Sequence, residues 1–311
     1  MNASDLSTFL RNLWLLGVEL WLEGDQLRFK GNKQVLAGDA LKVLREHKTA
    51  IIAILEENPQ AYSGFVLSHG QRAIHLMQTM APESAAYNQV CLLKLADTLD
   101  LTVLERILDV LLQRHATLRL SITELDGHIA QQVSYSLPSI LSVHHFESTE
   151  QLNAWVNTES DRPFLLDKEP LIRACLLHVN NCYHLLLAAH HIIADFWALN
   201  VIIRELESIY LAEAQGKAAD LPEIGKLFKD YVLYEKEWLN SDAGLAAKNY
   251  WHETLTPLPE VLELPTDFNR PARPRHQGKE LSFSLGSALT EKLKHHAKAS
   301  QVTPFVWVLS C

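Results

Sequence analysis

Apolar residues change their period several times along this chain. Leu6, Leu10, Leu13 and Trp14 recur at helical spacing, and Gly17 follows as a stop. Val18 to Leu22 then alternates, Gly24-Asp25 supplies a turn, and Leu27-Arg28-Phe29 alternates again, which predicts a short hairpin. From Leu36 to Leu55 the helical period returns through Leu41, Leu44, Ile51, Ile52 and Leu55, until Asn58-Pro59 ends it. The order is helix, hairpin, helix or helix pair. So small a unit cannot hide every large apolar side chain, which makes Trp14 or Trp21 a candidate binding face.

Beyond a polar connector, Val90 to Leu95 reads as a buried strand and Leu101 to Arg114 as a helix with Leu104, Ile107, Leu108 and Leu111 inward. Arg114 and Arg119 follow that helix and are expected to be solvated charges. Gly127 to Val133 is a further strand. Residues 171–179 and 182–189 form an antiparallel hairpin about Asn180-Asn181. Trp197 to Ala214 and Leu227 to Trp238 are helical, and residues 261–274 are extended and proline-rich. Leu281 to Leu285 alternates as a strand, Ala288 to Ala299 is helical, and an apolar run from Thr303 stops at Cys311, as in a chain cut short.

Candidate chemistry gathers at the end of the second hairpin strand, in Tyr183-His-Leu-Leu-Leu-Ala-Ala-His190-His191-Ile-Ile-Ala-Asp195. An extended backbone would point His190 and His191 to opposite sides, one into the packing and one towards an opening where a general base could act. Two other readings stand beside it. The pair can be structural, satisfied by carbonyls or water. His191 and Asp195 can share a face if both lie on a helix, as a metal pair would, although no HExxH or paired CxxC motif accompanies them.

Composition narrows the classes. A chain of 311 residues, 48% hydrophobic, can bury a sizeable core, and its length suggests about two domains. A net charge of −9 argues against a general nucleic-acid-binding surface. Four cysteines without CxxC pairing suit a reducing, cytoplasmic setting, and the N-terminus shows no signal peptide. The longest apolar stretch is broken by His190, His191, Asp195 and Asn200, so it is core and not a membrane span.

Two resemblances organise these readings. Leu15-Leu-Gly17-Val-Glu-Leu-Trp21-Leu-Glu-Gly24-Asp25-Gln-Leu27-Arg28-Phe29 resembles the N-terminal docking domains of nonribosomal peptide synthetases of the tubulysin type. In that family the hairpin receives a C-terminal segment of the preceding subunit, which implies a docking surface at Trp21, Leu27 and Phe29. From residue 66 onwards, five motifs in order are similar to a condensation domain of the chloramphenicol-acetyltransferase-like superfamily. They are Ser68-His-Gly-Gln71-Arg72, Arg114-His115-Ala-Thr-Leu118-Arg119, His190-His191-Ile-Ile-Ala-Asp195, Phe228-Lys-Asp230-Tyr231 and Leu264-Pro265-Thr-Asp267 with Arg270-Pro271.

The resemblance implies an α/β fold: residues 1–58 as an α+β docking domain, 59–65 as a linker, and 66–311 as the truncated N-terminal lobe of a condensation domain, a mixed sheet flanked by helices. It implies amide-bond formation between carrier-bound acyl and aminoacyl thioesters, with His191 catalytic and His190 and Asp195 structural in the loop. Arg119 and Arg173 are the candidate charge partners of Asp195. No metal or bound cofactor is implied; phosphopantetheine arrives on partner carrier proteins, and neither nucleic acid nor membrane is a partner. The first half of the domain alone is expected to be inactive. Phe196 and Ala198 stand where the family usually has glycine and often serine, and Ala73 where arginine is common. Phe196 would crowd the site and restrict its acyl groups. An epimerase of the same superfamily and a non-catalytic docking or scaffold fragment are the alternative functions.

Overall fold

The computed structural model describes residues 3–31, 35–36, 38–57, 64–95, 100–125, 128–134, 137–168, 170–269, 271, 281 and 283–310. The chain opens with helix α1 (Ala3–Leu15), the hairpin β1 (Glu19–Glu23) and β2 (Gln26–Lys30), and helices α2 (Asp39–Glu46) and α3 (Lys48–Glu57). Leu6, Leu10 and Leu13 of α1 are buried, as their spacing predicts, and Trp14, offered as a binding face, is instead part of the same core. The helix stops where Gly17 takes a φ of 85°, a left-handed backbone open to glycine at little cost. The stretch expected to be helical from Leu36 to Leu55 forms the alternative pair, broken at His47 between α2 and α3.

Then come β3 (Phe65–Val66), α4 (His69–Met80), β4 (Asn88–Lys94), α5 (Leu101–Arg114), a 3-10 turn (Ala116–Arg119), β5 (Leu120–Leu125), β6 (His128–Val133), β7 (Leu141–Phe146), α6 (Thr149–Ser160), β8 (Ile172–Val179), β9 (Cys182–His190), α7 (Phe196–Ala214), α8 (Phe228–Leu239) and α9 (Asp242–Thr254). Four strands form a mixed sheet in the order β4-β9-β8-β7, with β7 parallel to β8 and the other pairs antiparallel. A second, antiparallel sheet has the order β3-β6-β5.

The β8–β9 hairpin is the middle of the larger sheet. Asn180 and Asn181 take φ of 49° and 62°, the two left-handed positions of a type I′ turn, and pair Val179 with Cys182. Leu185 to Ala189 are buried on both faces, so this strand shows an unbroken apolar run where a half-exposed strand would alternate. The strand expected to be buried at Val90 to Leu95 is instead an edge. Among the described residues only β9 flanks β4, which leaves its side chains half-buried and Leu92 exposed. Leu104, Ile107, Leu108 and Leu111 of α5 face the core. Arg114 is not solvated: its Nε donates to Glu205 Oε2 at 3.0 Å, and His115 Nε2 meets the same oxygen at 2.6 Å, which locks α5 to α7.

Residues Met1–Arg270 form one compact unit and Pro271–Cys311 a second. Of the expected linker, 59–63 lie outside the described residues, whereas Gly64 and Phe65 are buried and Phe65 belongs to β3. Three contacts seat the N-terminal segment on later parts of the chain: Trp14 Nε1 donates to Gly64 O at 2.5 Å, Lys229 of α8 pairs with Glu19 at 2.6 Å, and Leu233 of α8 packs against Gly17.

The second unit holds α10 (Ser287–Ala299) and α11 (Pro304–Leu309), where Thr303 caps α11 and His296 stacks on Trp307 with centroids 5.8 Å apart. The strand expected at Leu281 to Leu285 does not form among its described residues, and Leu281 and Phe283 are exposed. Alternation gives a strand only where a neighbour accepts its hydrogen bonds. Gly127, Arg270 and Cys311, which bounded or belonged to expected elements and motifs, lie outside the described residues. Among the described residues no helix is long and apolar enough to cross a membrane.

Gly17 and Gly24 both have positive φ, but a Cβ at Gly17 would lie 2.5 Å from the Leu233 side chain while one at Gly24 would meet nothing within 4 Å. Gly24→Ala should therefore cost only the backbone term, about 1 kcal/mol, and Gly17→Ala roughly 1 kcal/mol or more beyond that. Denaturant midpoints of the two variants check the difference.

Candidate active site

The sheet delivers the two histidines to different surroundings. His190 is the last residue of β9 and is 1% exposed. The ladder continues one step further, because His191 N–H donates to Tyr87 O at 2.8 Å, and the chain then turns as Ile193 N–H bonds back to His190 O at 3.0 Å. His191 is half-buried, with the Tyr87 ring stacked at 6.5 Å. Of the two, His190 is the histidine in the packing, as expected of one of the pair.

Hydrogen bonds fix the tautomers. A backbone N–H can only donate, so Ile192 N–H at 3.2 Å makes His190 Nδ1 an acceptor. His190 Nε2 then carries the proton and donates to Gln78 Oε1 at 3.3 Å. Gln78 is oriented in turn, because its Nε2 donates to the carbonyls of Pro82 and Ser84, each at 3.2 Å. Burial, with the neighbouring His191 adding to it, lowers the His190 pKa to about 4, so this ring is neutral at pH 7. His191 is the converse. Its Nδ1 lies 3.2 Å from Ala194 O, which can only accept, so in the neutral ring Nδ1 holds the proton and Nε2 presents a lone pair.

Asp195 is exposed and caps α7, accepting Ala198 N–H at 2.7 Å. Its expected pairing with an arginine is corrected by the structure. Arg119 is held by the carbonyls of Leu112 and Ser134. Arg173 donates to Arg162 O at 2.7 Å, lies over the Phe164 ring at 3.8 Å, and forms an ion pair with Glu159 at 3.0 Å that is not aligned as a hydrogen bond. A cap position gives a carboxylate a backbone partner and leaves it in water, so no buried counter-charge is required. Nor do His191 and Asp195 share a helix face: one lies in a turn and the other at a helix cap.

Sequence reasoning passed over the groups that hold the loop. Gln71 Nε2 donates to Ile192 O at 2.9 Å and to Gln131 Oε1 at 2.8 Å. Gln131 Nε2 returns a bond to Gln71 Oε1 at 2.8 Å and donates to Val66 O at 3.0 Å, while Ser68 N–H adds a bond to Gln71 Oε1. Both glutamines are buried, and each amide uses both of its N–H groups. Spacing offered a clue, since Gln71 and Gln78 are seven apart on one face of α4.

The condensation-domain family model matches residues 63–310. The chain belongs to the condensation-domain family. The family model described as the TubC N-terminal docking domain matches residues 7–57. Among relatives, this condensation-domain chain is 32% identical over 249 residues to the dimodular nonribosomal peptide synthase of Bacillus subtilis (strain 168), covering 77% of this chain and 10% of that protein. It is 28% identical over 298 residues to surfactin synthase subunit 1 of the same organism, covering 95% of this chain and 8% of that one. The chain thus spans a small part of the length of these curated relatives. Its fold is similar to the first condensation domain of the calcium-dependent antibiotic synthetase, with a TM-score of 0.65 at 21% identity over 78% of this chain and 57% of the other. The starter condensation domain of the rhizomide synthetase gives 0.58 at 21% identity, over 63% and 49%. The mixed α/β architecture is that of the condensation domains.

Phe196 opens α7 with a negative φ that any L residue adopts, and its side chain is exposed, as is that of Trp197. The docking residues named from sequence divide between two faces of the hairpin. Leu27 and Phe29 pair with Leu22 and Leu20 on the face that carries the buried Leu20, whereas Trp21 pairs with Arg28 on the other. They are not one patch.

His190 supplies a pH dependence. In the unfolded chain it protonates near 6.5, and in the folded chain only near 4. Its contribution to stability is fully present above pH 6.5, falls by about 3 kcal/mol as pH drops from 6.5 to 4, and is constant below. His190→Asn keeps an acceptor for Ile192 N–H without the titration. Urea unfolding at pH 7 and 4.5 should show the wild type losing about 2–3 kcal/mol more than this variant, and parallel losses would remove His190 from the account.

Proposed function

We propose that residues 66 onwards catalyse amide-bond formation in nonribosomal peptide synthesis and that residues 1–58 dock the preceding synthetase subunit. The amine nitrogen of a carrier-bound aminoacyl thioester attacks the carbonyl carbon of a carrier-bound acyl or peptidyl thioester. The C–N bond forms, the C–S bond breaks, and the proton lost by the amine ends on the departing phosphopantetheine thiol. His191 is the catalytic residue in this reading. Its Nε2 takes the amine proton and passes it on, or positions the amine and stabilises the charge that develops on it.

The observation that carries the reading is the bond between His191 Nδ1 and Ala194 O, which reserves the Nε2 lone pair for a partner outside the loop. Asp195 and His190 act through position: one caps the helix after the turn, and the other is a neutral strut between Gln78 and Ile192 N–H. Family membership and the two relatives, one named as a nonribosomal peptide synthase and the other as a synthase subunit, support the same assignment. The thiols of Cys91 and Cys175 suit a reducing cytoplasmic compartment.

A correctly placed general base contributes roughly 10²–10⁴-fold. In a polypeptide extended through a complete condensation domain, His191→Ala should lower the rate of product formation between two loaded carrier proteins by about that factor. The 311 residues alone should form no product. Mass spectrometry of the carrier-bound amide checks both, and undiminished condensation by the His191→Ala variant would refute the assignment.

A further inference from the structure

A cavity of about 440 Å³ lies where the N-terminal segment meets the condensation lobe. One wall is the base of the hairpin, with Leu16, Gly17, Glu19, Lys30 and Gly31; the other comes from Phe65, Val133 at the end of β6, and Leu227, Phe228 and Leu233 at the start of α8. The walls are mainly apolar, and Val133 and Leu227 remain exposed. The contacts of Glu19 with Lys229 and of Gly17 with Leu233 hold the two walls in place.

The hairpin has only two strands, so the outer edge of β2 has no strand partner among the described residues. A peptide that adds to this edge finds unpaired backbone groups from Gln26 to Lys30. Lys30 and Gly31, the end of that edge, are themselves part of the cavity wall. A chain paired along β2 therefore arrives at an apolar cavity whose far side is the condensation lobe. Strand pairing alone is indifferent to side chains, whereas a cavity of this size selects a bulky apolar one.

We infer that the docking segment of the preceding subunit is read by a composite site: its backbone pairs along β2, and an apolar side chain flanking the paired stretch fills the cavity between hairpin and lobe. This rests on the docking role proposed above for residues 1–58. It adds that the lobe, through Val133 and Leu227, contributes to the choice of partner.

The test uses the full chain and a synthetic peptide of the last 25 or so residues of the subunit that precedes it in the assembly line, followed by calorimetric titration. Val133→Glu and Leu227→Glu, each placing a charge on the lobe wall, should weaken binding at least tenfold, as should replacing one apolar residue of the peptide by alanine. Phe29→Glu on the hairpin should weaken it as well. Thermal melts confirm that each variant is folded; Val133→Ala and Leu227→Ala, which empty the wall without adding charge, replace any that is not. If the hairpin variant weakens binding and the lobe variants leave it unchanged, docking stands and the composite site is overturned. If the peptide does not bind the wild-type chain, the docking reading itself fails and the composite site with it.

Discussion

The carbonyl of Ile192 is buried in the turn that carries both histidines, and the structure depends on how it is satisfied. Gln71 reaches it from α4, Gln131 holds Gln71 from β6, and Val66 O of β3 holds Gln131. Three stretches far apart in sequence, the adjoining β3 and α4, strand β6 and the turn at Ile192, thus meet in one set of hydrogen bonds. Leaving a buried polar group unpaired costs about 1–3 kcal/mol, so removal of one amide would expose several such costs together. The same set fixes the turn, and the turn fixes which nitrogen of each histidine carries a proton.

Outside the turn, charges serve as fasteners. Glu205 takes Arg114 and His115 together and sets α7 against α5, while Glu235 of α8 accepts His69 N–H at 2.7 Å at the start of α4. α8 also receives Glu19 through Lys229 and Gly17 through Leu233, so one helix touches both the N-terminal segment and the helix bearing Gln71 and Gln78. These contacts are among those that join residues on both sides of position 58 in one compact unit.

Much of the fold was legible wherever a local rule operates. Helical spacing named the buried face of α5, and Asn180-Asn181 named the central hairpin, because a type I′ turn needs residues that tolerate positive φ. The histidines were found because a buried apolar run ended in them. What the sequence did not show was long-range pairing. Nothing local tells that Arg114 meets Glu205, that Arg173 turns to Glu159 and Phe164 instead of Asp195, or that Gln131 lies beside Gln71. The described residues of Leu281 to Leu285 form no strand for the same reason: the alternation was real, but a strand is defined by its neighbour.

The central claim is that the turn assigns opposite tautomers to adjacent histidines, with the Nε2 lone pair of His191 left for chemistry. Long-range proton–nitrogen correlation spectra of the chain with nitrogen-15 histidine read each ring directly. Neutral His191 should appear as the Nδ1–H form, and His190 as the Nε2–H form that stays neutral on titration to about pH 4. A His191 ring protonated at Nε2 in its neutral state, or a His190 ring that takes up a proton near pH 6.5, would contradict the account.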